Sequence, residues 1–179
     1  EPNMAQAQTG GPCSYSNGNL DATTTAGVGQ YPFVFATFGA RSGKWYGEIT
    51  TRSSTNAAGV ANIAYLDSDG TSNPYGGYAV TSIIYTSRGE VRTNNGNVSG
   101  GSTYGNGVVI GIALDLDNNK VYFAKNNSYI NSGNPSTGSN GYTLGSMPTG
   151  KTGDFVFTAG VDGATDNSNI SLNCGQRAF

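Results

Sequence analysis

The sequence predicts an all-β fold, an antiparallel sandwich of two sheets, and three observations carry that expectation. Turn formers and strand formers are abundant together: 28 glycines stand beside 11 tyrosines and 7 phenylalanines in 179 residues, while leucine, glutamate and lysine are sparse. Such a mixture suits many short strands joined by tight turns. No window holds the 3.6-residue period of an amphipathic helix. Apolar runs recur instead at spacings of about eight to fifteen residues, with turn signals between them, as in a β-sandwich. Disorder goes with few aromatics and high net charge, and the net charge here is only -2. The length suits one core, so a single domain is expected over residues 13–179.

Residues 1–12 are polar and contain Gly10, Gly11 and Pro12, which suggests an arm or linker. In "SYSNGNLDAT" the pair Asn17-Gly18 signals a turn before a short strand. "PFVFATFG" (32–39) is an apolar strand, and "GKWYGEITTRS" (43–53) alternates so that Trp45, Gly47 and Ile49 share a face. "GVANIAYL" (59–66) closes on Asp67-Ser68-Asp69-Gly70, and a Gly/Pro/Tyr loop leads to the strand "SIIYTS" (82–87). Residues 88–107 alternate weakly and break at Asn95-Gly96 and Gly100-Gly101. "VVIGIALDLDNNKVYFAKNN" (108–127) is two apolar runs joined by a polar turn, a hairpin. The stretch 126–153 is long, polar and too loose for core structure, and "DFVFTAGV" and "NISLNCGQRAF" supply the last strands.

Several chemistries are excluded by what the chain lacks. Its nine bases are scattered singly between Arg41 and Arg177, so no basic stripe can neutralise a row of phosphates, and no nucleic-acid partner is expected. No stretch approaches the roughly 20 apolar residues of a membrane-spanning helix, so no membrane insertion is expected either. The chain starts at Glu1, with its first methionine at Met4, which reads as a processed product or an excerpt. With no histidine and two cysteines the usual zinc sets are unavailable, and no cofactor or metal is expected. Cys13 and Cys174 are either a disulfide tying the first strand to the last or two buried thiols.

Asp115 and Asp117 at i and i+2 have the spacing of a carboxylate pair on one strand face. Asp117-Asn118-Asn119 is, however, what a tight hairpin needs, because Asp and Asn tolerate positive φ and bond to their own backbone. The turn reading is preferred over a calcium site, and Asp67 and Asp69 before Gly70 carry the same choice. Apart from Glu1 the glutamates are Glu48 and Glu90, and no hydrolase signature surrounds either. Triad chemistry lacks its histidine, so the chain is expected not to be an enzyme. The sequons at Asn97, Asn126 and Asn169 matter only in a glycosylating secretory pathway.

Taken in order, "GKWYGEIT", "GVANIAYLDSD", "VIGIALDLDNNKVYFAKNN" and the terminal "NISLNCGQRAF" resemble the successive signatures of SPRY-type domains, particularly those of bacteriophage virion and tail proteins. The "SNGNL" at Ser16 to Leu20 is similar to the opening strand of the phage members, and the resemblance spans roughly Tyr15 to Phe179. Gly47 stands where the family usually has an aromatic, Cys174 where it has phenylalanine, Ala178 where it has proline and Asn127 where it has glycine. The resemblance implies a bent two-sheet sandwich, a concanavalin-like jelly roll, whose loops bind proteins or glycans without catalysis. It also implies that the first and last strands are neighbours, which would bring Cys13 and Cys174 within bonding reach.

The expected function is therefore a non-enzymatic binding or structural module of a bacteriophage virion, decorating capsid or tail or recognising a host surface. Its partners would be other virion proteins or a host-surface protein or glycan, its place the particle after synthesis in the host cytoplasm, with a homo-oligomer compatible. The alternative is a carbohydrate-binding or glycan-hydrolysing sandwich of a secreted protein. Candidate contact residues are the loop tyrosines Tyr75, Tyr78, Tyr104, Tyr129 and Tyr142, with Arg88 and Arg92 among many Asn and Ser. Rigid amphipathic rings flanked by short polar groups are the composition of adaptable recognition loops.

Overall fold

The structure is a computed structural model that describes residues 4–8, 13–25, 32–53, 57–62, 81–94, 96–145, 152–161 and 167–175. Its strands are β1 (Met4–Gln8), β2 (Cys13–Ser16), β3 (Asp21–Thr25), β4 (Phe33–Ala40), β5 (Lys44–Thr51), β6 (Ala57–Asn62), β7 (Ser82–Thr86) and β8 (Glu90–Thr93). There follow β9 (Gly96–Gly100), β10 (Val109–Asp115), β11 (Lys120–Lys125), β12 (Ser128–Tyr129), β13 (Tyr142–Thr143), β14 (Phe155–Gly160) and β15 (Asn167–Asn173). Among the described residues they form two sheets, β1-β4-β14-β6-β7-β8-β9 and β12-β11-β10-β5-β15-β3-β2, with β13 also paired to β11. Every pairing is antiparallel.

The inner faces follow from the alternation in the sequence. In the second sheet Ile110, Ile112 and Leu114 lie opposite Ile49, Gly47 and Trp45 on β5, and Ile112 and Leu114 lie opposite Phe123 and Val121 on β11. These apolar side chains meet Val34, Val60, Ile83, Tyr85, Val91 and Phe157 of the first sheet in one buried cluster. Trp45 shares that face but reaches the rim, where its ring packs on Phe38 at 4.7 Å and stays 39 % exposed. Phe33, Phe35, Ile84 and Val156 make a second buried cluster on the other face of the first sheet. Burial on both faces explains why its strands read as nearly continuous apolar runs.

Gly47, the departure from the family aromatic, has a packing reason. A Cβ there would lie 3.0 Å from the Phe157 ring, which comes across from the other sheet and fills the space.

Three expectations are corrected. Residues 1–12 are not simply an arm, because Met4–Gln8 adds an edge strand to β4; an edge needs only backbone hydrogen bonds, and in the short "MAQAQ" the alternating Ala5 and Ala7 are too small to give a strong apolar signal. The stretch 126–153 does contain core structure, since Tyr142 and Leu144 are buried in the main cluster. Finally, Cys13 and Cys174 are not bridged to each other. Cys13 pairs with Thr24 on β3, which pairs with Ser168 at the start of β15, whereas Cys174 lies past the far end of β15. They share a sheet, with β3 between them and about 20 Å of strand separating their levels. Burial raises the pKa of the Cys13 thiol and pushes that of Cys174 up to about 11.

Two outcomes are expected. Gly47→Phe should lose about 1–3 kcal/mol by overpacking against Phe157, and Phe157→Ala in that background should recover part of it, read by urea denaturation. Reduction with dithiothreitol should leave the melting temperature unchanged, because no intramolecular bridge between Cys13 and Cys174 exists to open.

Candidate functional site

The structure separates the seven sequence-predicted contact residues. Tyr75 and Tyr78 lie outside the described residues, as do Asp67 and Asp69. Tyr104 and Tyr142 are core residues, 7 % and 8 % exposed, which corrects their expected place on recognition loops. The Tyr104 hydroxyl donates to the carbonyl of Tyr85 at 2.7 Å and its ring meets Tyr85 edge-on at 5.0 Å. Tyr85 in turn lies 5.9 Å from Phe123, and Phe123 lies 6.0 Å from Tyr142. The loops do carry these rings, but the rings point inward and anchor them; amphipathic tyrosine permits either placement. Arg88 is exposed in the β7–β8 turn, and Arg92 on β8 pairs with Glu90 and donates from Nε to Asn97 Oδ1 at 3.1 Å. Tyr129, by contrast, is 36 % exposed on β12.

Around Tyr129 a surface is built that periodicity could not show. The segment from Ile130 to Gly141 crosses the outer face of β11 and buries Tyr122, whose ring would collide at 2.5 Å with any Cβ on Gly141. Its course is held by its own polar side chains. Asn134 and Ser139 exchange backbone hydrogen bonds of 2.9 and 3.2 Å. Asn134 Oδ1 accepts from the Ser136 amide at 3.0 Å, the Ser136 hydroxyl at 2.6 Å and the Thr137 amide at 3.2 Å. Asn140 Nδ2 donates to Ser132 O at 3.2 Å, and Asn131 Nδ2 to Asn140 O at 3.3 Å. Asn131, Ser132 and Asn140 take positive φ, which asparagine tolerates better than most residues.

The resulting ridge has a cleft on each side. One, of about 370 Å³, is lined by Tyr129, Gly133, Asn134, Pro135 and Ser136. The other, of about 420 Å³, is lined by Lys44, Asp115, Asn118, Lys120 and Pro135 to Gly138. Ridge and clefts form a continuous polar strip on the outer face of the second sheet.

Asp115 and Asp117 are both engaged in turns. Asp115 accepts from the Asn118 amide at 3.1 Å and from Asn118 Nδ2 at 2.9 Å, and pairs with Lys44 at 2.9 Å. Asp117 Oδ1 accepts from the Gly43 amide at 2.7 Å, pinning the β4–β5 turn to the β10–β11 turn. Among the described residues no group of three or more potential metal ligands occurs. The Asn118 side chain, and then Lys44, hold the Asp115 carboxyl below the usual carboxylate range, and Asp115 raises Lys44 in return. Beside this pair, Lys120 bonds to Thr143 Oγ1 at 2.8 Å and reaches Gly141 O at 3.5 Å, both neutral oxygens. On the same sheet face the Tyr46 hydroxyl donates to Glu48 at 3.0 Å, and burial, followed by Glu48, raises its pKa well above the phenol range.

No protein-family model matches the sequence, and no curated protein matches it. Solved structures do. The SPRY domain of human HERC1 is 14 % identical, with 93 % of this chain and 94 % of that one covered at a TM-score of 0.64. A second human SPRY domain is 14 % identical, with 98 % and 99 % covered at 0.62. Stonustoxin is 19 % identical, with 96 % of this chain aligned to 27 % of the toxin chain at 0.66. The fold is thus of the SPRY type.

The depressed Asp115 pKa fixes a pH signature. A carboxyl whose folded pKa lies below its unfolded value stabilises above the unfolded pKa, and loses that stabilisation as pH falls through the folded one. Asp115→Asn should therefore melt lower than the parent at pH 6, and the gap should close as the pH falls below about 4, followed by circular dichroism.

Proposed function

We propose that the chain is a non-catalytic recognition module of a bacteriophage virion, decorating capsid or tail or engaging a host surface through the polar strip beside Tyr129. The observation that carries the recognition reading is the ridge itself: an exposed aromatic ring, two ammonium groups and short hydroxyl and amide groups held on a rigid sheet. Binding groups are characteristically carried on loops positioned by such a scaffold. The SPRY-type fold supports an interaction module. The virion reading rests on the resemblance of "SNGNL" and "NISLNCGQRAF" to the ends of phage members.

Glycan hydrolysis is disfavoured by where the glutamates sit. Glu48 lies on β5 beside Tyr46, and Glu90 lies on β8 of the other sheet, paired with Arg92. An acid and a base must face each other across one sugar, so these two cannot serve as that pair.

Particles purified from cells that produce the chain should carry it, seen by antibody labelling on capsid or tail in electron micrographs. The free domain should compete with particle attachment, and Tyr129→Ala should weaken that competition about thirtyfold while leaving the melting temperature within a few degrees. Absence from purified particles would refute the virion reading, and hydrolysis of a polysaccharide requiring Glu48 would refute the non-catalytic one.

A further inference from the structure

The chemistry of the strip narrows its ligand, on the premise that this surface is the recognition site. Lys44 already has a counter-charge in Asp115, which is 4 % exposed. Lys120 is half-buried, lines the same cleft, and donates to the neutral oxygens of Thr143 and Gly141. Among the described residues Lys120 forms no ion pair, and although Asp115 faces it across the β10–β11 pair, that carboxylate is engaged by Lys44 and Asn118, so an incoming anion gains more at this half-buried ammonium than it would in open water. Ser136, Thr137 and Asn118 line the same cleft and can bond to neutral hydroxyls.

Beyond the Pro135–Ser136 ridge the second cleft presents the exposed Tyr129. Tyr129 sits opposite Ala124, and Lys120 is four positions back along β11, so their backbone positions are about 13 Å apart along the strand. That span suits an oligomer rather than a single small molecule. Apart from Pro135, which both share, neither cleft is lined by an aliphatic side chain, too little for the apolar anchor pocket that usually carries a peptide interface. We infer that the strip binds an acidic oligosaccharide, with Tyr129 against a sugar face and Lys120, beside Lys44, holding a carboxylate of the chain.

Isothermal titration of the whole chain with tetragalacturonate and with neutral galactotetraose tests this. The acidic tetramer should bind at least tenfold more tightly in 50 mM salt, and the preference should shrink severalfold in 500 mM salt. Lys120→Gln should abolish the preference while sparing binding of the neutral tetramer, Lys120→Arg should retain it, and Tyr129→Ala should weaken both ligands about tenfold. Equal binding of the two tetramers, binding of neither, or an acid preference that survives Lys120→Gln would overturn the inference. Lys120-dependent binding of hexaglutamate as tight as that of the tetragalacturonate would also overturn it, in favour of an acidic peptide. If the chain is found on particles and competes for attachment but binds neither sugar, this inference fails and the virion reading stands. Sugar binding by a chain absent from particles does the reverse.

Discussion

The aromatic chain Tyr104–Tyr85–Phe123–Tyr142 is the contact on which the rest of this molecule depends. Tyr85 belongs to one sheet and Phe123 to the other, so their meeting is a direct link between the two layers. One end lies in a loop and the other in the two-residue strand β13. Tyr104 fixes the loop that follows β9, and Tyr142 fixes the return of the long segment that crosses β11. Burying rings of this size is among the larger stabilising contributions a side chain makes. The segment before Tyr142 thereby takes a defined position over the second sheet, and the loop after β9 is held against the β7–β8 turn and the end of β5.

The proposed recognition surface inherits its position from those anchors. With Tyr142 held inside, Gly141 is pressed onto Tyr122, and the residues before it must rise as a ridge between two clefts. The hairpin carboxylates contribute from the other side. Asp117 ties the β4–β5 turn to the β10–β11 turn, and Asp115 keeps Lys44 at the mouth of one cleft. Side chains with the appearance of a metal site act instead as braces for the groove, and their charge is largely spent on that task.

What the sequence disclosed and what it hid divide along a physical line. The β10–β11 hairpin was legible because alternating Ile110, Ile112 and Leu114, an Asp-Asn-Asn turn and the return run ending at Lys125 all point to one geometry. The inward face of β5 was legible for the same reason. The segment from Asn126 to Thr143 was not, because it is ordered by asparagine side chains bonding to nearby backbone, an interaction without period or hydrophobic signature. Eight of the nine non-glycine residues at positive φ among the described residues are asparagine, so a composition that suggests looseness is here the means of building tight turns. Tyr104 and Tyr142 were placed on the surface because a tyrosine in a glycine-rich loop has no partner visible in sequence. Only the paired strands reveal that the ring turns inward. The cysteine pairing failed for a related reason, since sheet order can be anticipated while the level of a residue along its strand cannot.

The self-braced ridge separates two kinds of selection. Asn134, Asn140 and Gly138, the last at a φ of 77°, determine whether the ridge keeps its shape, whereas Pro135 and Ser136 at its crest make no contribution to the main core. Crest residues can therefore be exchanged with little effect on folding, as long as the struts remain. A lineage carrying this fold can retarget the surface by small steps at the crest, each tested for binding alone, while the sandwich beneath is passed on unaltered.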